Sequence, residues 1–262
     1  MSVKINSSFL CQLSLILFIL LPLLLITGPF LSDLAISSIA LIFLYQTYQN
    51  KLLLRYYQNN FVYIFLIFWA YLLFNSLLQN QNFDSIRVSL FYFRFIIFAL
   101  AVWYLLDTNE KILKNLFYCL LFCFSILIID GFYQFTSGHN LFGQQMLFNR
   151  PSSFFGDELV LGSYISRLFP IFFALVISQY KDFKSFFMYI VTIIFILAEV
   201  LVFISGERAS FFYINLSAIF VIFFIKDFKK IRIISLSLSI LLIVCISYFN
   251  PIAKKMIIDK SI

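Results

Sequence analysis

Charged residues are scarce in this sequence, and their scarcity limits what the chain can be. Asp, Glu, Lys and Arg make up 12% of the 262 residues, and hydrophobic residues make up 63%. Soluble domains have about 25% charged residues and about 45–50% apolar ones. No water-soluble fold of this length could bury so much apolar surface. The composition therefore excludes a soluble globular protein and predicts an integral membrane protein.

Histidine and cysteine are rare as well. The chain has 1 histidine, His139, and 4 cysteines, which lie in apolar runs without a Cys-x-x-Cys pair. Cys119 and Cys123 share a helix face, but packing by small apolar residues explains them better than a metal site. Nucleotide-binding loops, the Gly-x-Ser-x-Gly elbow and the dinucleotide fingerprint are also missing. The sequence therefore predicts no metal and no cofactor.

Acidic residues are fewer than basic ones, which gives a net charge of +7. In a soluble protein this excess would suggest a nucleic-acid partner. Here the lysines lie in short loops between apolar runs, where positive charge determines membrane topology. We therefore expect membrane lipid, and not nucleic acid, as a partner.

Long apolar runs dominate the chain, and each is a candidate membrane span because about 20 apolar residues cross about 30 Å of hydrocarbon. They predict an all-α polytopic transmembrane helical bundle of about nine spans that forms a single domain over 1–262. The connection 130–158 is mixed in polarity and rich in aromatic residues, so we expect an interfacial or re-entrant segment there. The runs are 9–27, 31–48, 61–79, 88–106, 112–130, 159–178, 186–204, 210–225 and 232–249.

The distribution of Lys and Arg predicts a cytoplasmic N-terminus and a periplasmic C-terminus. With that orientation, eleven of the 19 basic residues are cytoplasmic and eight are not. The cytoplasmic ones are Lys4, Lys51, Arg55, Lys111, Lys114, Lys181, Lys184, Lys226, Lys229, Lys230 and Arg232. The others are Arg87, Arg94, Arg150, Arg167, Arg208, Lys254, Lys255 and Lys260.

The two sides also differ in residue type. The cytoplasmic set has nine Lys and two Arg, whereas the outer set has five Arg and no Lys before the C-terminal tail. An Arg guanidinium is a planar fork of donors that binds phosphate or carboxylate at two points. Arg94 and Arg167 lie roughly 10 Å inside their predicted helices, where a charge is costly and is by default a functional hypothesis. We therefore interpret the outer arginines as a candidate anion site.

Arg87 and Arg94 are seven residues apart in the same run, so we expect them on one helix face. Asp84 lies three residues before Arg87 and is a candidate partner for it. Snorkelling to the membrane interface is the alternative for Arg87, whereas a polar cavity explains Arg94 better.

Four acidic residues are candidate counter-ions. Asp157 and Glu158 precede a predicted helix, and capping of that helix is the alternative for them. Glu199 lies within the seventh run, where a structural ion pair with an arginine explains it better than catalysis. Glu207 and Arg208 form the turn after that run, and an ordinary solvated turn is the alternative there.

Two segments combine arginines with small residues, RPSSFFGDELVLGSYISRLFP, which begins at Arg150, and AEVLVFISGERASFF. Both resemble the O-antigen ligase and O-antigen polymerase family of bacterial inner membranes. In that family an outer-loop Arg precedes a span, and two spans later come a small residue, Ser, Arg and then Gly or Ala. Here the second pattern is Ser205-Gly206-Glu207-Arg208-Ala209, with Glu207 where Ser commonly precedes the Arg. The resemblance makes 186–262 the start of the family's conserved region.

The resemblance implies transfer of a glycan from undecaprenyl diphosphate to an acceptor sugar on the periplasmic face of the inner membrane. The acceptor is either lipid A-core or a growing glycan, and neither a nucleotide sugar nor a metal is needed. The motifs carry diphosphate binding over to Arg150 and Arg208. We add Arg167, Arg94 and Arg87 on physical grounds, because cations fixed in place stabilise a departing diphosphate.

The family also has a large periplasmic loop whose His acts as base on the acceptor hydroxyl. This sequence stops at Ile262, so we expect a truncated product or a divergent member, and His139 does not match that His by motif. The alternatives are a transporter or flippase of an anionic lipid-linked substrate and an inactive fragment of the family.

Overall fold

The computed structural model of the chain describes residues 9–50, 53–79, 83–179 and 185–249. Regular structure in these ranges is helical, with short 3-10 turns at 153–155 and 226–228. The α-helices are α1 (Phe9–Ile26), α2 (Pro29–Gln49), α3 (Leu53–Tyr57), α4 (Asn60–Gln79), α5 (Phe83–Phe91), α6 (Arg94–Thr108), α7 (Ile112–Ser137), α8 (Leu161–Gln179), α9 (Ser185–Ile204), α10 (Arg208–Phe224) and α11 (Lys229–Phe249).

The predicted apolar runs correspond to these helices. In the described part of the chain, 8 helical segments are long and apolar enough to cross a membrane, with α5 and α6 taken together as one segment. The helix α10 is apolar but shorter, at 17 residues. The helices confirm an all-α, multi-pass membrane bundle, whereas the number of crossings and the orientation stay predictions.

Several residues used to predict the orientation lie outside the described residues. They are Lys4, Lys51, Lys181, Lys184, Lys254, Lys255 and Lys260. The part of 186–262 that follows Phe249 lies outside them as well.

The chain divides into two compact units, unit 1 (Met1–Leu116) and unit 2 (Phe117–Ile262). In unit 1, α2 packs against α1 and α6. The core between them contains Ile39, Phe43, Leu100 and Tyr104, and the ring centroids of Phe43 and Tyr104 are 5.7 Å apart. Dense packing of this kind holds helices together where lipid offers no hydrophobic driving force.

Tyr56 on α3 ties the end of this core to α6. Its ring packs edge-on against Phe43, and its hydroxyl donates to Asp107 at 3.1 Å. Asp107 also accepts from Arg55 at 3.0 Å. Burial, reinforced by the hydrogen bond to the Asp107 carboxylate, raises the pKa of Tyr56 to about 12. The hydroxyl therefore remains a donor at neutral pH.

In unit 2, α8 packs on α9 and α10, and α11 packs on both α9 and α10. Phenylalanine rings fill the core: Phe172 stacks on Phe117 and meets Phe195 edge-on, each at 5.7 Å. A Cβ at Gly131 of α7 would lie 2.8 Å from Leu201 Cδ1 of α9. This glycine therefore leaves room for the Leu201 side chain against the backbone of α7.

The helix α7 extends beyond the predicted run 112–130 and continues to Ser137. The run ends at Asp130 in the sequence, but this side chain is fully buried. Its carboxylate accepts from Leu141 N at 2.8 Å and from Ser153 Oγ at 2.6 Å. Because these hydrogen bonds satisfy the Asp130 carboxylate, α7 can continue beyond this residue. The first part of the predicted segment 130–158 is therefore helical.

Candidate functional site

The turn between α9 and α10 is the centre of the candidate site. It consists of Ser205, Gly206 and Glu207, and Arg208 is the first residue of α10. Gly206 has φ +71°, a left-handed conformation that glycine adopts without a steric penalty. Arg208 is exposed at this end of the helix and has no hydrogen-bond or ion-pair partner within the described ranges.

Arg150 lies across this turn. Its Nε donates to the Ser205 carbonyl oxygen at 2.7 Å, and a Cβ at Gly206 would lie 3.0 Å from the same Nε. The turn therefore needs glycine both for its φ and for the approach of Arg150. The terminal guanidinium nitrogens have no protein partner among the described residues, so they remain free to bind an anion.

The carboxylate of Glu207 caps α8. It accepts from Gly162 N at 2.6 Å, from Ser163 N at 2.8 Å and from Ser163 Oγ at 2.5 Å. Ser210 Oγ also donates to it, at 2.9 Å. An acidic group is favourable at a helix N-terminus because it accepts from the free amide donors and faces the positive end of the helix dipole. Within the described ranges, its negative charge neutralises no arginine.

Two sequence features make this cap possible. A Cβ at Gly162 would overlap Ser205 Oγ and lie 2.9 Å from Glu207 Oε1, so any side chain there would displace these groups. Ser163 adds a hydroxyl that contacts Ser210 Oγ at 3.1 Å. As a result, α8 and α10 begin side by side at Glu207.

Asp157 and Glu158, the other acids before α8, are exposed. The helix begins after them, at Leu161, and its amide donors are occupied by Glu207. Neither acid forms an ion pair with another described residue.

Arg167 lies on α8, six residues after Leu161, and is exposed. It lines an open groove between α8 and α10, the α8–α10 groove, with a volume of about 530 Å³. Like Arg208, it has no hydrogen-bond or ion-pair partner among the residues that the structure describes. The groove is lined by Ser166, Arg167, Pro170, Tyr213, Leu216, Ser217 and Phe220.

The loop that carries Arg150 is held by buried polar side chains. Gln134 Oε1 on α7 accepts from Ser152 N at 2.9 Å and from Ser153 N at 2.7 Å. Asn140 Nδ2 donates to the Ser153 carbonyl oxygen at 2.9 Å. Gln134 and Asn140 are almost fully buried, so the loop is fixed on α7 from within.

The two residues before Arg150 adopt unusual backbone conformations. Phe148 has φ 51° and Asn149 has φ 56°, which are values that glycine tolerates and bulky residues rarely adopt. Of the two, Phe148 is the strained residue, because Asn adopts this conformation several times more often than most other residues. Strain of this kind is common at functional sites.

Sequence reasoning missed the residues that position Arg150, namely Asp130, Gln134, Asn140 and Ser153. One signal was available: Asp130 and Gln134 are polar residues four positions apart at the end of an apolar run. On a helix they share a face, and both are buried on α7.

His139 takes no part in this arrangement. It is exposed, its ring packs against Tyr133 at 5.6 Å, and its Nδ1 lies 3.3 Å from the Asn140 carbonyl oxygen. Within the described ranges, no three His, Cys, Asp or Glu side chains come together as metal ligands.

Arg87 and Arg94 belong to unit 1 and are separated by a break at 92–93 between α5 and α6. Both nevertheless line one cavity of about 720 Å³, together with Asp84. Arg94 forms an ion pair with Asp33 at 3.0 Å and lies over the Phe95 ring at 4.9 Å. Its charge is therefore already balanced, whereas that of the exposed Arg87 is not balanced by an ion pair within the described ranges.

Glu199 has an arginine partner, but it is Arg232 rather than one of the five outer arginines. Arg232 Nη2 and Ser239 Oγ both donate to the Glu199 carboxylate. The Arg232 guanidinium also lies 5.0 Å from the ring centroid of Phe169. This buried pair fastens α9 to α11.

Arg232, which the prediction counts with the cytoplasmic basic residues, has a fully buried side chain, and the side of the membrane on which it lies stays a prediction. The helix α11 begins at Lys229, so Arg232 already lies in its first turn. From there its side chain enters the core of unit 2.

Comparison of the chain with protein-family models, with curated proteins and with solved structures finds no match in any of the three.

Proposed function

We propose that this protein acts on a lipid-linked diphosphate at the outer face of a bacterial inner membrane. In this proposal it transfers a glycan from undecaprenyl diphosphate to an acceptor sugar, as an O-antigen ligase or polymerase does. The observation that carries the proposal is that Arg150 contacts the turn after which Arg208 begins α10, and that the terminal guanidinium nitrogens of both are unpaired within the described ranges. The acid of this turn, Glu207, is occupied by the N-terminus of α8.

The chemistry requires what these arginines supply. The bond between the sugar C1 and the diphosphate oxygen breaks, and a bond forms between C1 and the acceptor hydroxyl oxygen. The proton of that hydroxyl passes to a base, and negative charge develops on the departing diphosphate. Fixed guanidinium groups stabilise this charge without reorganisation, and one such donor is typically worth about 10²–10³ in rate.

Arg208 and Arg150 have different roles in the proposal. Arg208 is exposed at the start of α10, so it adds to the positive end of the helix dipole. Arg150 is oriented by its Nε contact with Ser205 and presents its two terminal nitrogens as a fork. A lysine at 150 would keep the charge but lose this orientation.

The first test is Arg208→Ala in the full chain, in membranes supplied with undecaprenyl-diphosphate-linked glycan and acceptor. We expect transfer to fall by about 10²–10³ and affinity for undecaprenyl diphosphate to fall by at least about tenfold. Arg150→Lys should lose nearly as much transfer activity as Arg150→Gln, because a lysine cannot bind at two points. The control is Lys114→Ala, because Lys114 is exposed near the start of α7.

Undiminished transfer and binding in Arg208→Ala would contradict the proposal. Binding of the donor by the unaltered chain without any transfer would favour the inactive-fragment alternative instead.

Transport of an anionic lipid-linked substrate is a second candidate, and the buried Arg232–Glu199 pair is the observation that favours it. Charged pairs inside a membrane protein often mark a substrate or ion path. Transport predicts that proteoliposomes move a labelled lipid diphosphate between leaflets and that the double variant Glu199→Leu with Arg232→Met, which removes both charges and should stay folded, abolishes the movement. Glycan transfer predicts no movement.

A further inference from the structure

The α8–α10 groove changes in character along its length. The first turns of α8 and α10 both lie next to Glu207. The distance of a residue along the groove can therefore be measured from the first residue of its helix, at about 1.5 Å per residue. Ser166, Arg167 and Tyr213 lie about 8–9 Å from the helix starts. Leu216 and Phe220 lie about 12–18 Å from the start of α10. The groove is therefore polar near the candidate site and mainly apolar deeper in the bilayer.

Residue sizes explain why a groove exists there. The two helices are fastened at the top by the Ser163–Ser210 contact of 3.1 Å and by Glu207. Further down, the small Ser217 of α10 and Pro170 of α8 line the space between them. These compact side chains leave the gap of about 530 Å³, which is within the usual range for ligand sites, about 300–1,000 Å³.

Arg167 makes the groove favourable for an anionic ligand. It has no acidic partner within the described ranges, and an unpaired cation at this depth is costly. Ser163, which contacts Glu207, is one helical turn before Arg167 on the same face of α8. Arg167 therefore lies about 9 Å along α8 from the helix start and lines the groove beside its apolar part.

We infer that the α8–α10 groove holds the isoprenoid tail of the lipid diphosphate donor, with Arg167 binding the diphosphate at its upper end. The inference rests on the proposed function and adds a second part to the site. The diphosphate is bound by the arginines of the turn and by Arg167, and the tail descends past Leu216 and Phe220. The hydrocarbon chain, and not the diphosphate alone, then contributes to recognition.

The test fills the groove with a larger apolar side chain and leaves every arginine unchanged. Leu216→Trp places a large side chain in the apolar part, whereas Ile219→Trp makes the same kind of change at an exposed α10 position outside the groove lining. The full chain is placed in phosphatidylcholine nanodiscs, and the binding of undecaprenyl diphosphate and of isopentenyl diphosphate is measured. The second ligand has the same diphosphate with a single isoprene unit.

We expect Leu216→Trp to weaken the binding of undecaprenyl diphosphate by about tenfold or more, because the buried tail loses its apolar contacts. The binding of isopentenyl diphosphate should not change, which also shows that the variant is folded. Ser217→Leu, a smaller filling change, should weaken long-chain binding less. Ile219→Trp should affect neither ligand.

Unchanged binding of undecaprenyl diphosphate in Leu216→Trp would overturn the groove inference and leave the proposed function standing. Equal competition by phosphatidylglycerol would overturn it too, because the groove would then be a general site for anionic lipid. If the unaltered chain binds no undecaprenyl diphosphate at all, the proposed function and the groove inference both fail.

Discussion

At the residue scale, Glu207 shows how one side chain can determine the chemistry around it. A Glu directly before Arg208 would be expected to neutralise it. Instead the carboxylate accepts from α8 and from Ser210. The site therefore keeps the positive charge of Arg150 and Arg208, and the acid contributes to stability.

The capping role predicts a stability effect for Glu207→Ala. The variant loses a charged acceptor for the amide groups of Gly162 and Ser163, and we expect the free energy of unfolding to fall by about 1–2 kcal/mol. Thermal unfolding of the detergent-solubilised protein measures this. Glu158→Ala is the matched control, because Glu158 is exposed and forms no ion pair within the described ranges.

Gly162→Ala should reproduce the loss, because its Cβ would displace both Ser205 and Glu207. An unfolding temperature that stays unchanged in Glu207→Ala would show that the cap does not contribute to stability.

At the element scale, the contacts between helices depend on a few polar residues set in apolar sequence. Glu199 and Arg232 join α9 to α11, and Glu207 joins α8 to α10. Because α9 leads directly into the turn at Ser205, the position of that turn depends on how firmly α9 is held. The buried ion pair thus supports the site without being part of it.

Removing one partner of this pair should destabilise the protein more than replacing both partners with apolar residues. Glu199→Gln leaves the Arg232 charge buried without its partner, and we expect a loss of about 3–5 kcal/mol in the free energy of unfolding. The double variant Glu199→Leu with Arg232→Met removes both charges and should recover most of that loss. Chemical unfolding in detergent distinguishes them, and equal destabilisation in the two variants would contradict this account.

At the scale of the whole molecule, the helices divide between two units, and the five outer arginines divide with them. Arg87 and Arg94 belong to unit 1 and line their own cavity. Arg150, Arg167 and Arg208 belong to unit 2, where the turn and the groove lie. Unit 2 therefore carries the part of the site on which the proposed function depends.

The predicted orientation can be tested on the whole chain. With the four native cysteines replaced, Asn109→Cys should react with a membrane-impermeant thiol reagent only from the cytoplasmic side, and Phe148→Cys only from the periplasmic side. Phe148 is 81% exposed, so access to it is not limited by packing. Labelling of intact cells and of inverted vesicles measures both, and the reverse pattern would contradict the positive-inside assignment.

The sequence by itself determined where the helices are. Runs of about 20 apolar residues can satisfy their backbone only as helices in lipid, so every predicted run is largely helical, although 88–106 is divided between α5 and α6. The sequence also indicated Arg150, Arg167 and Arg208 as candidate site residues, because cations are rare and costly in such a chain. The limits of α7 were less predictable, because a buried Asp130 ends an apolar run without ending the helix.

Only the tertiary structure decided which polar residues meet. Glu207 finds its partners at 162 and 163, Arg232 finds Glu199, and Gln134 holds the backbone before Phe154. These partners are far apart along the chain and lie on different elements, so no local pattern specifies them. They are chosen by which helices pack side by side, and that depends on the shapes of the surfaces in contact rather than on apolar runs. The same packing leaves Arg150, Arg167 and Arg208 without an acidic partner among the described residues.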